Sequence, residues 1–143
     1  MVDTKITAKE YLLIVFYSIE EIKRKNNYLE KIINKQAPKD IIVTSFEKIG
    51  KNYHHSTVSA EYICNEIIKV QNEIIDLKIR VSEALDFIEK IRKPQYKTVL
   101  KLRYINGKHW SEIANLMRLN DKYVFYLHRE ALKEFEKIWK KEQ

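Results

Sequence analysis

The sequence predicts an all-α fold: a long N-terminal antiparallel coiled-coil helical hairpin, then a small tri-helical helix-turn-helix domain. Three observations predict it. The 143 residues hold only two Gly and two Pro, few breakers for a chain so rich in Lys, Glu, Ile and Leu. An apolar residue stands at every seam position from Ala60 to Ile91, in steps of three and four. Residues 107–131, GKHWSEIANLMRLNDKYVFYLHREA, hold two short helical patterns with RLND between them.

The first helix is expected to start at Thr7. TAKE is a capping box, in which the Thr7 hydroxyl accepts from the Glu10 backbone and Glu10 reaches back. Its seam runs Ala8, Leu12, Val15, Ile19, Ile22, Asn26, Leu29 and Ile33. Asn26 is the one polar member, and reads equally as a register-fixing group or a solvent-facing side chain. The helix should stop near Gln36, because the residue before Pro38 avoids helical geometry. Residues 37–56 show no sustained period and read as a long connection. His54 and His55 within it are neighbours that share no helix face, so they read as loop residues and not as metal ligands.

The second helix is expected over 57–92, on the seam Ala60, Ile63, Ile67, Val70, Ile74, Leu77, Val81, Ala84, Ile88 and Ile91. At 1.5 Å per residue it is about 50 Å long. The first helix folds back over much of this seam, but it is shorter. That allows a homodimer through residues 57–92 without requiring one. Pro94 opens a third helix over about 95–106, stopped by Asn106–Gly107. A fourth helix covers about 110–118, with His109 before it. A fifth follows Asn120, a good N-cap, to about Lys140.

Composition narrows the function classes. No run of about 18 apolar residues exists, so no membrane span is expected. YLLIVFY is apolar, but it lacks a basic leader and a small-residue cleavage site, so it is not read as a signal peptide. Cys64 is the only cysteine. It is expected to be a buried small apolar residue in a cytoplasmic protein. The formal net charge is +7. Residues 1–92 carry 15 Lys and Arg against 14 Asp and Glu, and residues 93–143 carry 12 against 6. The excess thus lies in the last third, and a basic segment attracts polyanions. No Gly-rich phosphate loop, zinc spacing or nucleophile motif is present, so no enzyme, cofactor or metal is expected. His128 reads as packed between core and surface.

Geometry sharpens the charge argument. Ile113, Ala114 and either Leu116 or Met117 face inward on the fourth helix, and Leu119 fills the turn. Val124, Leu127 and Ala131 repeat at three and four on the fifth helix. Val99 and Leu100 close the three-helix core, completed by Trp110, Phe135, Ile138 and Trp139. This is the pattern of a tri-helical unit whose second motif helix, about 121–130, enters the DNA major groove. Asp121, Lys122, Tyr123, Tyr126 and Arg129 then point outward. Lys122 and Arg129 suit phosphates or guanine edges, and the tyrosines suit phosphates or a thymine methyl. Asp121 complements the helix dipole. Lys108, Arg118, Lys97, Lys101 and Arg103 are candidate phosphate clamps.

Residues 98–135, which include RYI, EIA and LHREAL, resemble region four of sigma-70-type sigma factors. The whole chain, with its TAKEYL start and long coiled-coil helices, resembles the phage ArpU and RinA late-transcription regulators. The resemblance implies a DNA-binding regulator of late genes in a phage, prophage or mobile element, with host RNA polymerase as a further partner. It implies DNA contacts at Asn120, Asp121, Lys122, Tyr123, Tyr126 and Arg129. The chain departs from that pattern at Tyr126, where a basic or small polar residue is usual, and Phe125 is apolar for a groove helix. Two rival readings stand beside it: a small terminase-like DNA-packaging subunit, and a helical protein-interaction module.

Overall fold

The computed structural model describes residues 6–34 and 49–142, with side chains from residue 60 onward in the second helix. It is all-α. Among the described residues, five α-helices follow in order: α1 Ala8–Lys31, α2 Ile49–Glu89, α3 Pro94–Leu100, α4 Trp110–Met117 and α5 Asp121–Glu142. A π-helical turn, Lys101–Ile105, continues α3. No helix among the described residues is long and apolar enough to cross a membrane.

The expected α1 cap is present. Thr7 N–H donates to Glu10 Oε1 at 2.8 Å, and Glu10 N–H donates to Thr7 Oγ1 at 3.1 Å. Helix α2 begins eight residues before the expected Thr57. No proline stands between Pro38 and Pro94, so nothing in the backbone prevents the helix from extending upstream of its seam. His54 and His55 therefore lie on helical backbone and not in a loop. The rest of the expected connection, 37–48, lies outside the described residues.

The chain divides into two compact units, Met1–Ile19 with Ile79–Gln143, and Glu20–Lys78. In the first unit, the start of α1 and the end of α2 share one core with the C-terminal helices. Ala8, Leu12, Ile88 and Ile91 are buried with Val99, Leu100, Tyr104, Ile113, Val124, Leu127, Ala131 and Phe135. Tyr11 stacks on Trp139 with ring centroids 5.1 Å apart, and on Phe135 at 5.9 Å. Ser18 is buried, and its hydroxyl donates to the Ile14 carbonyl and accepts from Arg80. Lys90 pairs with Glu142 at 2.8 Å.

In the second unit, the later part of α1 runs antiparallel to α2. Lys25 pairs with Glu73 at 2.9 Å, and the Tyr28 hydroxyl donates to Glu66 at 2.9 Å. Leu29, Val70 and Ile74 are buried between them, with Ile22 and Ile67 alongside. The nine seam positions on α2, from Ala60 to Ile88, are at least half-buried; the tenth, Ile91, is buried just beyond the helix, which ends at Glu89 rather than at the expected Arg92. Asn26 is exposed, which is the solvent-facing reading. Cys64 corrects the expectation of burial: it is exposed. It follows the seam residue Ile63 directly, and one residue turns a helix by about 100°, off the packed face.

Pro94 occupies the first turn of α3 as expected. The Asn106 N–H donates to the Lys101 carbonyl at 2.9 Å, closing the wider turn, and Gly107 follows at φ +67°. The helix thus stops at the expected Asn-Gly, in a left-handed conformation that glycine adopts without strain. Of the two alternatives in α4, Met117 packs against the core and Leu116 is exposed.

Candidate nucleic-acid interface

The interface is built on α4, a three-residue turn, and the first half of α5. Glu112 starts the frame: its carboxylate accepts from the His109 backbone N–H at 3.0 Å. That hydrogen bond holds the Glu112 carboxyl below its ordinary range, helped by the Lys108 and His109 charges. Helix α4 then ends on Arg118, which takes a left-handed conformation at φ 60°. Its N–H donates to the Asn115 carbonyl at 3.2 Å, and the Leu119 N–H reaches back to Ala114 at 3.0 Å. A non-glycine residue there carries strain of about 1–2 kcal/mol. Asn120 restarts the helix, with its Oδ1 accepting from the Tyr123 N–H at 2.8 Å.

Val124, Leu127 and Ala131 anchor the inner face of α5, each at most 1% exposed. The helical period therefore turns Asn120, Asp121, Lys122, Tyr123, Tyr126 and Arg129 outward, and all six are exposed. The Tyr123 and Tyr126 rings stack with centroids 5.7 Å apart and planes 22° apart. Arg118 is exposed on the turn, and Lys108 is half-buried before α4. Among the described residues, Lys108, Arg118, Lys122 and Arg129 make no ion pair. Lys133, one turn beyond Arg129, is paired with Glu130 at 3.2 Å.

Three expected phosphate clamps are engaged within the protein. Arg103 donates to the Lys108 carbonyl at 3.0 Å, and its guanidinium lies 4.4 Å from the centre of the Trp110 ring. It thereby fastens the turn that leads into α4. Lys101 hydrogen-bonds Glu89, and Lys97 lies 3.6 Å from the same carboxylate. Both are thereby drawn to Glu89, at the end of α2.

Behind that face lies a polar-aromatic support that sequence reasoning did not find. The Tyr104 hydroxyl and His128 Nε2 are 2.7 Å apart, and both residues are buried. Trp110 meets His128 edge-on at 4.7 Å and Phe125 edge-on at 5.3 Å. Phe125 is therefore tied to the α4 helix rather than loose on the surface. Burial pushes the Tyr104 hydroxyl up to about 12. Burial also pulls His128 down to about 4, with the Lys9, Arg103 and Arg129 charges acting in the same direction. His128 is thus a neutral packing residue at pH 7. The only sequence signal for this support was His128 standing next to the core position Leu127.

No group of three His, Cys, Asp or Glu able to hold a metal occurs among the described residues. The arrangement presents fixed cations and aromatic rings on a rigid helix, which suits it to binding a polyanion. Comparison with known proteins finds no matching family model, curated protein or solved structure.

Proposed function

We propose that this protein is a DNA-binding transcription regulator whose α5 lies in the major groove of duplex DNA. The observation that carries the reading is the outward face of α5. Lys122 and Arg129 stand seven residues apart, about 10 Å along the axis, with Tyr126 between them. Neither cation is spent on a carboxylate, while the opposite face is locked into the core. A helix held this way after a short turn is what the helix-turn-helix reading requires of a recognition helix. The basic excess of residues 93–143 supplies the electrostatic attraction.

On the resemblance to sigma region four and to the ArpU and RinA regulators, the targets are late genes of a phage, prophage or mobile element. Host RNA polymerase is a second partner on the same resemblance. A homodimer through residues 57–92 would use the outward Ile68 and Ile75, which are 55% and 53% exposed. Such a dimer would set the distance between two recognition helices and hence the half-site spacing.

The test is selection from a random-sequence duplex pool by the full-length protein, followed by sequencing. The reading expects enrichment of a defined site, lost in the Lys122→Ala/Arg129→Ala variant. Failure to retain duplex at low salt would refute it. Mass measurement of the same preparation separates a regulator, expected as a monomer or dimer, from a packaging subunit, expected as a large ring.

A further inference from the structure

We infer that the Tyr123–Tyr126 pair reads thymine, through the C5-methyl group that projects into the major groove. This deepens the proposed function and rests on it: it names the base feature recognised by the same helix.

A tyrosine offers a base edge two things, a hydroxyl and a ring. Its hydroxyl makes single hydrogen bonds and cannot form the two-point contacts by which Arg selects guanine or Asn selects adenine. Its ring is a flat apolar surface. The only apolar group that a base pair presents in the major groove is the thymine methyl. A ring on a groove helix is therefore suited to that group above any other.

The structure then fixes the rings. Tyr123 and Tyr126 are 41% and 43% exposed, so each keeps a free apolar surface. Their stacking at 5.7 Å holds them as one platform. Neighbouring residues restrain the helix beneath: Val124 and Leu127 are buried, and Phe125 is tied to Trp110. No large rotation of α5 is left that would turn the platform away. Asn120, the residue on this surface that would suit adenine, already uses its Oδ1 to cap α5. Lys122 and Arg129 share one stripe of α5 beside the platform. Their charge complements a phosphate backbone next to the base edges.

The magnitude follows from burial of one methyl, worth about fourfold in affinity. The experiment uses the full chain and the duplex enriched from the random pool. That duplex is resynthesised with deoxyuridine in place of each thymidine in turn, which removes the methyl and leaves base pairing intact. The expected result is a loss of about fourfold at one or two positions. Tyr123→Ala/Tyr126→Ala should bind the thymidine and deoxyuridine duplexes equally, whereas Tyr123→Phe/Tyr126→Phe should keep the discrimination. Equal binding of both duplexes by the unaltered protein would overturn the inference while leaving duplex binding intact. Discrimination that persists in the alanine variant would overturn it too, because the methyl would then be read elsewhere. Absence of any duplex binding would instead remove the reading on which it rests.

Discussion

Acidification should weaken the C-terminal core through one residue, His128. Its folded-state value lies at about 4, against 6.5 for an unperturbed histidine. The unfolded chain therefore takes up the proton first as the pH falls. His128 costs the fold nothing above pH 6.5 and destabilises it progressively between about 6.5 and about 4. One pH unit of difference is worth about 1.4 kcal/mol. Between about pH 7.5 and about pH 5 the loss is about 2 kcal/mol, and it approaches about 3 kcal/mol once both states are protonated. His128 is only 7% exposed, so solvent does little to screen the effect. The assay is urea unfolding followed by tryptophan fluorescence over that range, for the unaltered protein and for His128→Gln. Glutamine keeps an acceptor for the Tyr104 hydroxyl but does not titrate. Subtracting the two curves cancels the other histidines and the carboxylates. A difference curve flat to within about 0.5 kcal/mol, of the order of an ordinary surface substitution, would refute the burial argument.

Three further outcomes follow from the same geometry. Tyr104→Phe strands His128 Nε2 in the core and should cost about 1–2 kcal/mol, measurable by the same urea titration. Gly107→Ala places a Cβ 3.0 Å from the Phe16 ring at φ +67°, so a loss of at least about 1 kcal/mol is expected in a thermal melt. Asn120→Ala removes the α5 cap and should cost about 1 kcal/mol in a thermal melt. Duplex affinity should fall with it in a fluorescence-anisotropy titration, because the first turn carries Lys122 and Tyr123.

Periodicity made much of this structure legible. The nine seam residues of α2, the Thr7–Glu10 box, the Asn120 cap and the inward Val124, Leu127 and Ala131 all follow from spacing and local chemistry. What spacing does not encode is which helices meet. Ala8 and Leu12 read as hairpin seam residues, yet they lie in one buried cluster with Phe135 and Trp139. Lys97 and Lys101 read as free cations because their partner, Glu89, lies on another helix. Arg103 read the same way because its partners, the Lys108 carbonyl and the Trp110 ring, come together only across the Gly107 turn. Cys64 read as buried because apolar character does not say which side of a helix a residue occupies. The Tyr104–His128 bond joins residues 24 positions apart, beyond any local pattern.

The central claim is that the outward face of α5 binds duplex DNA through Lys122 and Arg129. Its most direct test is the salt dependence of duplex affinity for the full chain and for Lys122→Ala/Arg129→Ala, in one titration series. Each phosphate contact contributes about 0.9 to the slope of log affinity against log salt. The variant is expected to bind more weakly at every salt concentration, with a slope shallower by about 2. Equal affinities with superimposable slopes would contradict it.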